Sequence, residues 1–253
     1  MIYIIFLLFT LFVIILMLYQ LQYFVLFSPR YFREKECDKG YEILSITSDD
    51  GVELEGAIYR RQDAKSTILF FGGREQDSVG LISRLAIRHK YSTIITFNYR
   101  SYGRSKGSLN EKNIFSDALK ISKIVQKNYG DFYILGYSLG ASVALYVASQ
   151  IQSRGVFLVG AFDSLASLAK QKFRVNISWF LKYTFDNIEF LKSIDAKIYI
   201  FASTADEVVS SESSQNLKNG VKNLGFFKNV EALSHRELFW SDEVCQDINE
   251  ILK

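Results

Sequence analysis

The chain is poor in proline, cysteine and histidine, with one, two and two residues respectively in 253, and each scarcity excludes something. Cys37 and Cys245 cannot form a disulfide framework or a four-thiolate zinc site, and the sequence leaves open whether the two meet in one bridge. His89 and His235 rule out any centre built on three imidazoles, so no catalytic metal is expected. Charge of one sign is scarce too. Thirty Lys+Arg against 27 Asp+Glu leave +3, too small and too mixed for a nucleic-acid footprint. What is abundant is apolar: 49% hydrophobic and 15% aromatic residues can fill one sizeable core, and this length suits one large domain better than two small ones.

Residues 1–19 (MIYIIFLLFTLFVIILMLY) contain no charge, glycine or proline, and as a helix would span roughly 28 Å at about 1.5 Å per residue. No basic residue precedes the run, and it exits into Gln20-Leu21-Gln22-Tyr23 without a small-x-small cleavage site. That pattern predicts an uncleaved transmembrane anchor over 1–27 rather than a signal peptide. A helix apolar on every face also lacks the stripe with which a core helix docks. The single proline, in Phe24 to Arg30 (FVLFSPR), marks a junction, and 28–40 reads as a linker. Arg30, Arg33 and Lys35 flank the exit, interleaved with Glu34 and Glu36, which favours a cytoplasmic domain.

From 41 to 253 short β-rich runs alternate with amphipathic stretches, the pattern of a mostly parallel sheet covered by helices in one domain. Tyr41–Thr47 and Val52–Tyr59 flank the turn cluster Ser48-Asp49-Asp50-Gly51 and read as a hairpin. Further strands are predicted at Thr67–Phe71, Ser92–Phe97, Phe132–Leu135, Val156–Val159, Lys197–Phe201 and Lys228–Leu233, mostly buried on both faces. Helices are predicted over 77–89, 111–128, 139–152, 176–184, 211–219 and 240–252.

The strongest motif is Gly136-Tyr137-Ser138-Leu139-Gly140, set between a buried strand and a helix. Such a turn holds a serine in a strained conformation at the sheet edge, with glycines where Cβ atoms would collide. The following helix aims the Leu139 N–H at the same spot as an oxyanion donor. A serine nucleophile needs a base, and only His235 follows Ser138 in the chain, just past the last predicted strand. His89 reads instead as a surface residue at a helix end, where a cation suits the dipole. The acid belongs at a strand's carboxyl end between Ser138 and His235. Asp206 after KIYIF fits, Glu207 could substitute, and Asp163, Asp186 and Asp195 precede the strand. The loop Gly72-Gly73-Arg74 after TILFF offers the Arg74 backbone N–H as second oxyanion donor. No G-x-x-x-x-G-K-[ST] or G-x-G-x-x-G occurs, so nucleotide binding has no support.

These residues resemble the α/β-hydrolase superfamily, specifically its membrane-anchored branch near serine-aminopeptidase-like hydrolases and acyl-protein depalmitoylases. The resemblance spans roughly 41–252 and rests on FFGGREQD, residues 98–105 (NYRSYGRS), GYSLG, residues 160–165 (GAFDSL), residues 206–209 (DEVV) and the late His235. Two departures stand out. Gly72-Gly73-Arg74 replaces the branch's common His-Gly-Asn, and Ser234-His235-Arg236-Glu237 its Gly-His-Asn-Asp.

The resemblance implies an α/β-hydrolase fold with a short lid over about 160–196, where aromatic residues such as Phe173, Trp179, Phe180 and Tyr183 could line an acyl pocket or simply pack on the sheet. It also implies a serine hydrolase of carboxylic esters or thioesters through a Ser138–His235–Asp206 triad. The substrate would be an acyl ester, a thioester or an acylated protein presented at the bilayer. Two alternatives stay open: an aminopeptidase-like serine peptidase on the same triad, with Glu75 as the guess for binding the peptide amine, and a non-catalytic binding protein that retains the fold. Oligomeric state is not legible.

Overall fold

A computed structural model describes residues 2–30 and 40–253; Cys37 and the charged linker residues 33–36 lie outside them. The chain opens with α1 (Ile2–Leu26), a 25-residue helix long and apolar enough to cross a membrane. Its side chains are exposed along most of its length. The last turn and the residues after it are different: Phe27 is buried in the core of the domain, against Tyr23, Tyr183 and Phe185.

Strands β1 (Glu42–Thr47) and β2 (Glu53–Tyr59) form the expected antiparallel hairpin. Its turn is tied by Ser48, which donates to Asp50 and accepts from the Val52 N–H. There follow β3 (Ser66–Phe71), α2 (Ile82–Arg88), β4 (Ser92–Phe97), α3 (Glu111–Tyr129), β5 (Tyr133–Tyr137), α4 (Leu139–Gln150), β6 (Gly155–Val159), α5 (Leu165–Phe173), α6 (Asn187–Leu191), β7 (Ile198–Ser203), α7 (Ser211–Gly220), β8 (Leu224–Val230), α8 (His235–Trp240) and α9 (Asp242–Leu252). The sheet order is β1-β2-β4-β3-β5-β6-β7-β8, with β2 antiparallel to β4 and every later pairing parallel. Apolar side chains of α3, α4, α6 and α7 bury one sheet face, and those of α2, α8 and α9 the other. The central strands are therefore apolar on both faces, as their uninterrupted runs require. After β3 the chain first crosses to β4 on one side and then returns to β5 on the other. The carboxyl ends of β3 and β5 thus flank the switch point, where open α/β sheets hold their ligands.

Several elements differ from the sequence reading: helices α5 and α6 stand where none is predicted, and α2 begins only at Ile82. The last strand lies four residues earlier than expected, at Leu224–Val230, because Gly225 is no breaker here: the Tyr199 ring occupies the space of its missing side chain. No helix runs over 176–184. Arg174, left-handed at φ 58, ends α5, and only a 3-10 turn at Ser178–Phe180 follows. The final helix is split at Ser241, whose extended backbone ends α8 and whose hydroxyl caps α9.

Candidate active site

Ser138 stands between β5 and α4 at φ 53, ψ −119, a conformation that disfavours any residue with a Cβ. It is over-determined by its surroundings. The Ser138 N–H donates to the Val159 carbonyl at 2.9 Å, and its own carbonyl accepts from Ala141 N–H at 2.9 Å. The flanking glycines make the turn possible: a Cβ on Gly136 would lie 2.5 Å from the Gly140 oxygen, and one on Gly140 only 2.0 Å from the Phe71 oxygen. The serine is half-buried, at the start of a helix whose leading N–H groups have no intrahelical acceptor.

His235 opens α8 and is held from several sides. Ser234 and Glu237 form a capping box around it, and its backbone N–H donates to Glu207 Oε2 at 2.9 Å. Its Nδ1 lies 2.7 Å from Asp206 Oδ2. Asp206 is fixed in turn, because Oδ1 accepts the Val208 and Val209 N–H groups at 2.8 and 2.7 Å. One carboxylate oxygen is thus anchored to backbone and the other faces the imidazole, whose neutral form then carries its lone pair on Nε2. Nε2 is buried without a hydrogen-bond partner among the described residues. The ring leans on Tyr137, the residue before the serine, with centroids 5.2 Å apart. It also fills the space beside Gly160, where a Cβ would meet the ring at 2.7 Å.

The other acids weighed on sequence have separate employment. Asp163 accepts from Ser213 and Asn216, Asp186 caps α6, and Asp195 is exposed. Glu207 holds the histidine's backbone rather than its ring. His89, expected at the surface, is buried at the end of α2, and that burial, with Arg88 beside it, lowers its pKa from 6.5 to about 4. Tyr137, Gly160 and Glu207 were not anticipated as neighbours of the imidazole. Tyr137 lies inside the serine motif and Gly160 directly after a buried strand, so sequence position offered a signal for those two.

The loop after β3 passes against the serine: a Cβ on Gly73 would lie 3.0 Å from the Tyr137 ring and 3.4 Å from Ser138 Cβ. Gly73 N–H donates to Gln76 Oε1 at 2.9 Å, and Gly72 O accepts from Tyr99 at 2.8 Å. Arg74 is clamped at both ends. Its carbonyl accepts the Tyr102 hydroxyl and the Ser28 N–H, while its guanidinium donates to the Val25 carbonyl of α1 at 2.5 Å and to Glu75 at 3.0 Å. Glu75 also pairs with Arg30 at 3.7 Å. No cluster of three or more His, Cys, Asp or Glu able to hold a metal ion occurs among the described residues.

Among solved structures, the esterase Pf2001 of Pyrococcus furiosus superposes with a TM-score of 0.67 over 89% of this chain and 94% of its own, at 18% identity. An alpha-beta hydrolase from Vibrio vulnificus gives 0.67 over 84% and 80%, at 16% identity. The chain has the α/β-hydrolase fold. No family model matches the sequence. Curated relatives include the uncharacterized protein R595 of Acanthamoeba polyphaga mimivirus, 27% identical over 71% of this chain and 69% of that protein. The uncharacterized membrane protein YNL320W of Saccharomyces cerevisiae is 30% identical over 49% and 47%. Human alpha/beta hydrolase domain-containing protein 17B is 27% identical over 58% and 52%. The matches thus span about half the length of the yeast and human relatives.

Proposed function

We propose that this protein is a membrane-anchored serine hydrolase that cleaves a carboxylic ester or thioester. In this reading His235 Nε2 takes the proton of Ser138 Oγ as the oxygen attacks the acyl carbon. The Leu139 and Arg74 backbone N–H groups hold the resulting oxyanion. The imidazolium, oriented and stabilised by Asp206, returns the proton to the leaving alcohol or thiol, and an acyl-Ser138 ester remains. Water, deprotonated by the same Nε2, then releases the acid and restores the serine. These steps draw on no cofactor.

The observation that carries the reading is the 2.7 Å bond between His235 Nδ1 and Asp206 Oδ2, within a fold whose elbow holds Ser138 at positive φ. Membrane anchoring draws support from the uncharged helix α1 and from the yeast relative YNL320W, itself named a membrane protein. The basic residues after α1 argue for a domain facing the cytoplasm. A peptidase on the same triad has less support, because the carboxylate of Glu75 is already paired with Arg74 and Arg30.

Fluorophosphonate labelling of the detergent-solubilised full chain tests the assignment. Wild type is expected to label, with Ser138→Ala and His235→Ala silent and Asp206→Asn slower by up to about 10⁴. Labelling that survives Ser138→Ala, or that is absent from wild type shown to be folded by circular dichroism, would sink the triad. Comparing acyl esters and thioesters of graded chain length with amino-acid amides then separates esterase from peptidase.

A further inference from the structure

We infer that the stretch from the last turn of α5 through the 3-10 turn, residues 170–182, is a second membrane contact, laid on an anionic lipid surface beside the point where α1 leaves the bilayer. The inference extends the reading of α1 as a membrane span and rests on it.

Depth is the first argument. A hydrocarbon core of about 30 Å takes up about twenty apolar residues at about 1.5 Å each, and the strongly polar side chains of α1, Gln20 and Gln22, mark its boundary. The 3-10 turn docks at that level. Phe180 meets the Tyr19 ring edge-on at 5.9 Å, Gln22 donates to the Phe180 carbonyl at 2.9 Å, and the Lys182 N–H donates to Gln22 at 2.8 Å. Lys182 Nζ reaches Gln20 at 3.2 Å. A helix that spans the bilayer therefore holds residues 179–182 at the lipid–water boundary.

Exposure and charge are the second. Phe173, Val175 and Trp179 are 58%, 61% and 82% exposed, whereas every other aromatic side chain from residue 40 onward is at least partly buried. A tryptophan at this depth, with an apolar ring and one N–H donor, matches the interfacial belt of membrane proteins. Residues 165–185 contain Lys170, Lys172, Arg174 and Lys182 and no acidic residue. Basic groups interleaved with exposed apolar ones at a membrane surface fit phosphatidylserine-like headgroups above and acyl chains below.

The full chain carrying Trp240→Phe, which leaves Trp179 as the only tryptophan, would be reconstituted into phosphatidylcholine vesicles with and without phosphatidylserine. Flotation of the vesicles reports the anchor, and Trp179 emission reports the second contact. The expected result is co-flotation together with blue-shifted emission that brominated lipids quench and aqueous acrylamide does not. The shift should be larger with phosphatidylserine and smaller in the Lys170→Glu, Lys172→Glu, Arg174→Glu triple variant. A protein that floats while Trp179 is quenched by acrylamide and spared by brominated lipid overturns the second contact and leaves the anchor standing. A protein that does not float overturns both. Should Trp240→Phe fail to fold, the wild-type minus Trp179→Phe difference spectrum gives the same readout.

Discussion

The two histidines sit in opposite surroundings. His235 has a carboxylate at Nδ1 and an Nε2 buried without a partner among the described residues, whereas His89 is buried at the end of α2, its Nδ1 also without a partner among the described residues, with Arg88 next in sequence. Burial holds its folded-state pKa near 4 against an ordinary 6.5. Between those values the unfolded chain binds a proton that the folded chain refuses. The stability His89 permits is therefore complete above about pH 6.5 and is lost as pH falls through about 4, a loss of about 3 kcal/mol. Thermal midpoints measured from pH 7 to 4 should fall more steeply in wild type than in His89→Gln, which has nothing to protonate. Equal slopes would show that His89 reaches water in the folded state. The sequence reading took this residue for a surface cap because a helix ends there. That α9 covers the same helix end, with Asn249 donating to the Arg88 carbonyl at 2.7 Å, is a contact between residues 161 apart that no local pattern announces.

Among elements, the stretch after β4 shows how the sheet's edge is tied to the rest of the molecule. Arg100 donates to both oxygens of buried Asp117 on α3, at 2.7 and 2.8 Å, and to both oxygens of Asp50 in the β1–β2 turn at the same distances. These bonds hold the Asp50 carboxyl well below the usual range, and burial adds to the importance of the Asp117 pair. Arg100→Met should lower stability by about 3–5 kcal/mol, because it strands a buried carboxylate. Arg100→Lys keeps the charge but not the double fork and should recover only part of it. Chemical denaturation midpoints decide, and an unaffected Arg100→Met would mean that Asp117 finds another partner. Elements like these were unevenly legible. Strands β3 to β7 announce themselves as apolar runs, and the GYSLG turn as glycines around a serine between strand and helix. The capping box Ser234-His235-Arg236-Glu237 was equally readable as a helix start, yet the final helix was expected only from residue 240. The edge strand β8 begins earlier than the sequence reading has it because Gly225, which reads as a breaker, is filled by the Tyr199 ring.

In the molecule as a whole, α1 and the loop beside Ser138 share bonds. Arg74→Ala keeps the backbone N–H proposed to hold the oxyanion but removes the guanidinium from Val25 O and Glu75. Through misplacement of that N–H, kcat on an acyl ester should fall by up to about 100-fold with little change in KM, and Arg74→Lys should restore part of it. An unchanged kcat would show that Tyr102 and Gly73 alone hold the loop. Phe27 extends the same point from chemistry to architecture. A fragment that begins after Phe27 would leave a phenylalanine-sized hole against Tyr183 and Phe185 and strip Arg74 of the Val25 carbonyl. Leash and head are therefore not interchangeable parts: another apolar run of equal length in place of the helix would forfeit the Gln22 bonds to Phe180 and Lys182 and the Tyr23 ring against Phe27, and with them the seat of the domain on its helix.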